Sequence, residues 1–80
     1  MKVIVTVHLK PGVLDPQGVT ISNALLSMGY TGITDVRAGK VFELVIDDGD
    51  TEATRQKAEE IAHRLLANPV IETYTVEVLR

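Results

Sequence analysis

Residues Lys2 to Gly18 read KVIVTVHLKPGVLDPQG, and the pattern changes twice along them. From Lys2 to Leu9, Val3, Val5, Val7 and Leu9 share one face of an extended chain, and Ile4, Thr6 and His8 share the other. That period of two is a strand with one buried face. Lys10-Pro11-Gly12 ends it, with proline and glycine where a tight turn prefers them. Asp15-Pro16 then opens a helix. The aspartate carboxylate accepts amide hydrogens of the first turn, and proline's missing hydrogen costs nothing at the first helical position. Ile21, Ala24, Leu25 and Met28 recur at helical spacing as the predicted buried stripe, with Gly29 as the residue after the cap.

Beyond this unit, Ile33 to Val36 and Val41 to Ile46 read as two further strands joined by a hairpin, Arg37-Ala38-Gly39-Lys40. Asp47-Asp48-Gly49-Asp50 breaks the third strand, and a second helix begins near Asp50 or Thr51. Its stripe is Ala58, Ile61, Ala62 and Leu65, with Glu60 and Arg64 paired at i, i+4 on its surface. Asn68-Pro69 stops it, because the residue before proline avoids the helical region. Val70 to Leu79 is the last strand, with Tyr74, Val76 and Val78 on one face. The predicted class is α+β: a β-α-β-β-α-β two-layer sandwich, a four-stranded antiparallel sheet with two helices on one face. Residues 1–80 read as a single domain.

This architecture leaves one sheet face bare, with Ile4, Thr6, Glu43, Val45, Ile71 and Thr73 on it. On the first helix, Val19 and Leu26 lie about 140–160° from Ile21 at 100° per residue, away from the stripe. A helix apolar on two sides touches something on both, so the reading favours an interface over solvent. Chain size points the same way. A core of this length rarely supplies more than about 3–5 kcal/mol, and with no cysteine there is no disulfide staple. Oligomerisation is expected.

The 80 residues carry eight basic and eleven acidic side chains, a net charge of −3. That balance excludes a nucleic-acid binder, which needs a basic face, and Tyr30, Phe42 and Tyr74 are too scattered for a base-stacking platform. No apolar run approaches a membrane span, and the N-terminus lacks the apolar core of a signal peptide; with no cysteine, this fits the cytoplasm. Catalytic equipment is missing. There is no cysteine nucleophile, and Gly39-Lys40 lacks the rest of a phosphate loop. His8 and His63 lie on different elements and read as surface histidines, not metal ligands. Asp47, Asp48 and Asp50 fail the spacing of a calcium loop and read as a solvated turn. Arg37 and Lys40, at the predicted hairpin tip, are a candidate contact for an acidic partner.

Three stretches go further. Leu9 to Gly18 (LKPGVLDPQG), Asp35 to Leu44 (DVRAGK followed by Phe42-Glu43-Leu44) and Leu65 to Glu72 with Tyr74 (LLANPVIE) occur in order across nearly the whole chain. Together they resemble the PurS family, small subunits of phosphoribosylformylglycinamidine synthase. The resemblance implies a non-catalytic subunit that forms dimers or tetramers and joins a glutaminase (PurQ) to a synthase (PurL). The assembly would convert formylglycinamide ribonucleotide to formylglycinamidine ribonucleotide in purine biosynthesis, using ATP, Mg²⁺ and glutamine, none of them bound by this chain. Residues of the first two motifs, with Val19 and Leu26, make the candidate partner interface: Pro11, Asp15, Val19, Leu26, Arg37, Gly39 and Lys40.

Two other readings share the predicted topology. An ACT-like regulatory module would carry a glycine-rich ligand turn where Pro11 to Pro16 is stiff and apolar. An acylphosphatase-like enzyme would need an arginine near the end of the first strand, where Lys10-Pro11 stands. Fold alone does not choose among them; the motifs favour PurS.

Overall fold

The computed structural model describes residues 1–79. Its elements are β1 (Lys2–Leu9), α1 (Pro16–Ser27), β2 (Gly39–Val45), α2 (Thr51–Ile61), a π-helical turn (Ala62–Leu66) and β3 (Glu72–Leu79). β1 lies between β2 and β3 and is antiparallel to both. The alternation of β1 is used as read. Val3, Val5 and Val7 are fully buried, beneath Thr54 and Ala58 of α2 and Ala62 beyond it. Two alanines let the helix approach the sheet closely, and each buried valine contributes about 1.5–3 kcal/mol. The register places Phe42 and Val76 beside Val5, and Leu44 and Val78 beside Val3, so both outer strands extend the same apolar face.

The sheet has three strands, not four. Residues 33–36 pair with no strand; the chain there is irregular up to Gly39. Nor is there a hairpin at Arg37 to Lys40, because Gly39 and Lys40 already belong to β2, opposite His8 and Val7. A two-residue hairpin turn needs positive φ. Among the described residues only Gly12, Gly29 and Gly32 have it, so Gly39 cannot make such a turn. The backbone of 36–38 is instead engaged by the start of α1, as set out below. The α+β class and the order of the other elements hold.

The two-layer sandwich is also incomplete. α2 packs over β1 and β3, but α1 makes no comparable packing with any strand. The molecule is drawn out to 50 × 26 × 15 Å. Ile21 and Met28, predicted to be buried, are 39% and 69% exposed. Gly18 is the one buried residue of α1. The stripe on α2 fails at one position for a local reason. The π turn inserts an extra residue per turn, so Leu66 packs on the core while Leu65 is exposed. No helix among the described residues is long and apolar enough to cross a membrane.

Candidate functional site

The centre of the site is Asp15, which joins three segments. Before it, Val13 N–H donates to the Lys10 carbonyl at 3.1 Å, and Gly12 has φ 87°. This is a type II turn with Pro11 and Gly12 at its central positions, as that turn requires. The turn delivers Asp15 in an extended conformation, φ −107° and ψ 94°, ahead of Pro16. Its Oδ1 accepts the Gly18 N–H at 2.9 Å, which is the predicted helix cap. Its Oδ2 accepts the Ala38 N–H at 2.8 Å, across 23 residues. One carboxylate thus caps α1 and ties it to the chain entering β2. Bonds from Gly18 first and Ala38 second, with the Arg37 charge, hold the Asp15 carboxyl below its ordinary value against the opposing effect of burial. A carboxylate with both oxygens occupied and a lowered pKa is a fastener, not a general base.

Gly18 makes the approach possible. A Cβ there would overlap the Val36 carbonyl oxygen and lie 3.0 Å from its carbon. Arg37 completes the joint: its Nη1 donates to the Val13 carbonyl at 2.9 Å, and its Nε lies 3.5 Å from Asp35 Oδ2. Arg37 is therefore engaged within its own chain and is not the free tip charge expected from sequence. Between the turn, α1 and residues 34–37 lies an open groove of about 440 Å³, bordered by Asp15, Val19, Ser22, Asn23 and Arg37. On the other side of Asp15 is a hollow of about 250 Å³ bordered by Gln17, Gly39, Lys40 and Glu72.

The seven residues predicted for the interface fall into separate places. Asp15, Val19 and Arg37 meet at the groove; Gly39 and Lys40 border the hollow. Leu26, 68% exposed, is seven residues along α1 from Val19 and so on its face. Pro11 is exposed in the turn. Gly39 matters for space: a Cβ would come within 2.9 Å of the Val7 carbonyl oxygen and of His8 Cδ2. Sequence reasoning missed Gly18, Val36 and Ala38. A glycine in the first turn of a helix was the available signal for the first; nothing marked the other two. Among the described residues no three His, Cys, Asp or Glu side chains are grouped to hold a metal ion.

The family model described as PurS, phosphoribosylformylglycinamidine (FGAM) synthase, matches residues 2–80. The chain is 49% identical over 77 residues to phosphoribosylformylglycinamidine synthase subunit PurS of Mycobacterium leprae, covering 94% of this chain and 91% of the relative. A solved structure from Methanocaldococcus jannaschii superposes with a TM-score of 0.89 at 35% identity, covering 99% of this chain and 95% of that one. That protein is described as PurS, one of the subunits of formylglycinamide ribonucleotide amidotransferase in the purine biosynthetic pathway. A chain in the structure of PurLQS from Thermotoga maritima superposes with a TM-score of 0.88 at 29% identity, covering 98% of this chain and 95% of that one.

Proposed function

This chain belongs to the PurS family, subunits of phosphoribosylformylglycinamidine synthase, and from that premise we propose that it is the bridge between the glutaminase PurQ and the synthase PurL. The observation that carries the reading is likeness over nearly the full length, at a TM-score of 0.88, to a chain within PurLQS. The subunit serves purine biosynthesis, and it contributes position, not chemistry. Glutamine, ATP and Mg²⁺ are taken by the larger subunits in the cytoplasm. Ammonia released from glutamine passes to formylglycinamide ribonucleotide without escaping to water. Holding two active sites in register converts a bimolecular encounter into an effectively unimolecular one.

Residues 1–80 act as one unit in this role, self-associated as a dimer or tetramer. The contact with the larger subunits uses the outward face of α1 around Val19 and Leu26. Both are exposed, on an element that its own sheet leaves uncovered. Lys40 adds a cation across Asp15 from it, at the hollow, while Pro11, Asp15 and Gly39 are the frame that sets the angle of α1. Removing aliphatic side chains of this kind from water favours association, and rim charges act mainly on association rate. Size-exclusion chromatography of the chain with PurL and PurQ of the same organism tests the assignment. The wild type co-elutes with them; Val19→Asp with Leu26→Asp keeps its fold by circular dichroism and elutes apart. Co-elution of the double variant at wild-type affinity would move the contact elsewhere.

A further inference from the structure

The turn Asp47-Asp48-Gly49-Asp50 takes no part in the bridging role, yet it joins the end of β2 to the helix that covers the core. Asp48-Gly49 is the one step in the sequence where glycine follows an aspartate or an asparagine. Gly49 is exposed, and a Cβ in its place would meet nothing within 4 Å. Among the described residues its amide donates no hydrogen bond. Asp48 Oδ1 accepts the Asp50 N–H at 2.9 Å. That bond closes a small ring through the Gly49 nitrogen, so the Asp48 carboxyl is folded back over the amide that follows it. The bond also draws electron density away from the carboxyl carbon. A free amide nitrogen, no side chain to hinder it and a carboxyl carbon held beside it are what cyclic imide formation requires.

We propose that Asp48-Gly49 is a modification site, at which the aspartate converts to isoaspartate, and that the conversion uncaps α2. The Gly49 nitrogen attacks Asp48 Cγ. The new bond closes the imide, and the amide hydrogen leaves with the carboxyl hydroxyl as water. Water then opens the ring. Where the bond to Cγ breaks, aspartate returns. Where the bond to the main-chain carbonyl breaks, the chain runs on through Cβ and Cγ, and a free carboxylate stays on Cα. One water leaves and one enters, so mass and charge are unchanged and no other reagent is consumed. The product has one more carbon in its main chain and a shorter arm to its carboxylate, so the bond to the Asp50 amide is lost. Asp50 is the N-cap of α2, its Oδ1 accepting the Glu52 N–H at 3.0 Å. Displacing it leaves amides of the first turn without a partner. The carboxylate on Cα is the group that isoaspartyl methyltransferases esterify, and they are the enzyme class that would take this site as substrate.

The test ages the full chain in warm, mildly acidic buffer, because carboxyls form imides in their protonated state. Isoaspartate is measured by enzymatic methyl transfer from S-adenosylmethionine and located by fragmentation of the peptide that holds Asp48. Position 48 is expected to convert before any other aspartate or asparagine, and at least as fast in the folded chain as in urea. Gly49→Ala, which the open turn accommodates, is expected to convert about two- to fivefold more slowly, as the loss of glycine's freedom predicts. Asp48→Glu, whose longer side chain would have to close a larger ring, is expected to give no product. The purified isomer is expected to melt about 4–8 °C below the unaged chain, the shift for one lost helix cap. Faster conversion in urea than in the folded chain, or a first site elsewhere, would overturn the assignment. An isomer that melts with the unaged chain would overturn the uncapping of α2.

Discussion

Gly18→Ala is the substitution on which two physical effects disagree in sign. Inside an exposed helix, alanine is better than glycine by about 1 kcal/mol, so propensity alone predicts a more stable protein. The structure predicts the reverse. The new Cβ would overlap the Val36 carbonyl oxygen and stand 3.0 Å from its carbon. Carbon pairs are comfortable near 3.5–4.0 Å, so that contact alone asks for a retreat of roughly 0.5–1 Å. The obstacle is backbone, not the end of a flexible side chain. Overpacking of this kind costs about 1–3 kcal/mol, which leaves a net loss of about 1 kcal/mol after the propensity gain, or a fall of about 4–8 °C in Tm. Retreat of residues 36–38 also lengthens the Ala38 bond to Asp15, so the Ala38 amide exchanges faster. Thermal melting and amide exchange measure both, with Thr20→Ala on the exposed side of the same helix as the propensity control. If Gly18→Ala stabilises the protein as the control does and Ala38 exchange is unchanged, α1 is not seated on residues 36–38 as described.

Thr54 is fully buried with its hydroxyl unbonded, so the isosteric Thr54→Val should raise stability by about 1 kcal/mol in urea titration. Because the π turn brings Leu66 to the core and leaves Leu65 78% exposed, Leu66→Ala should cost about 2 kcal/mol and Leu65→Ala less than about 0.5. The Asp15 carboxyl is held below its ordinary value of 3.8. Its contribution to stability is therefore complete above that value and lost as pH falls through the lower folded value. Acid melting below pH 4 should show this loss for wild type and not for Asp15→Asn.

Legibility in the sequence followed the range of each interaction. β1 could be read because Val3, Val5 and Val7 need only a period of two and a face to bury. The turn at Pro11-Gly12, the cap at Asp15 and the stop at Asn68-Pro69 are set within four residues, by φ preference and one side chain. Val41 to Val45 and Tyr74 to Val78 followed for the reason β1 did. What failed depends on distant partners. Ile33 to Val36 has strand composition, but its register is decided by Asp15 and Gly18, about twenty residues back, which claim Ala38 and Val36. The stripe of α1 has helical spacing, yet spacing cannot say whether the chain beyond it folds back on the sheet. The shift from Leu65 to Leu66 follows from one inserted residue in a helix, which periodicity at 3.6 does not register. The joint around Asp15 was half legible: Asp15 and Arg37 stood out by type, whereas Gly18, Val36 and Ala38 act through backbone and space.

Glutamine-dependent formation of formylglycinamidine ribonucleotide by PurL and PurQ of the same organism, with and without this chain, bears most directly on the assignment. The account predicts little glutamine-dependent product without the chain and full activity on titrating it in. It also predicts that the chain alone neither hydrolyses glutamine nor turns over ATP. Full glutamine-dependent activity from PurL and PurQ without it would contradict the bridging role.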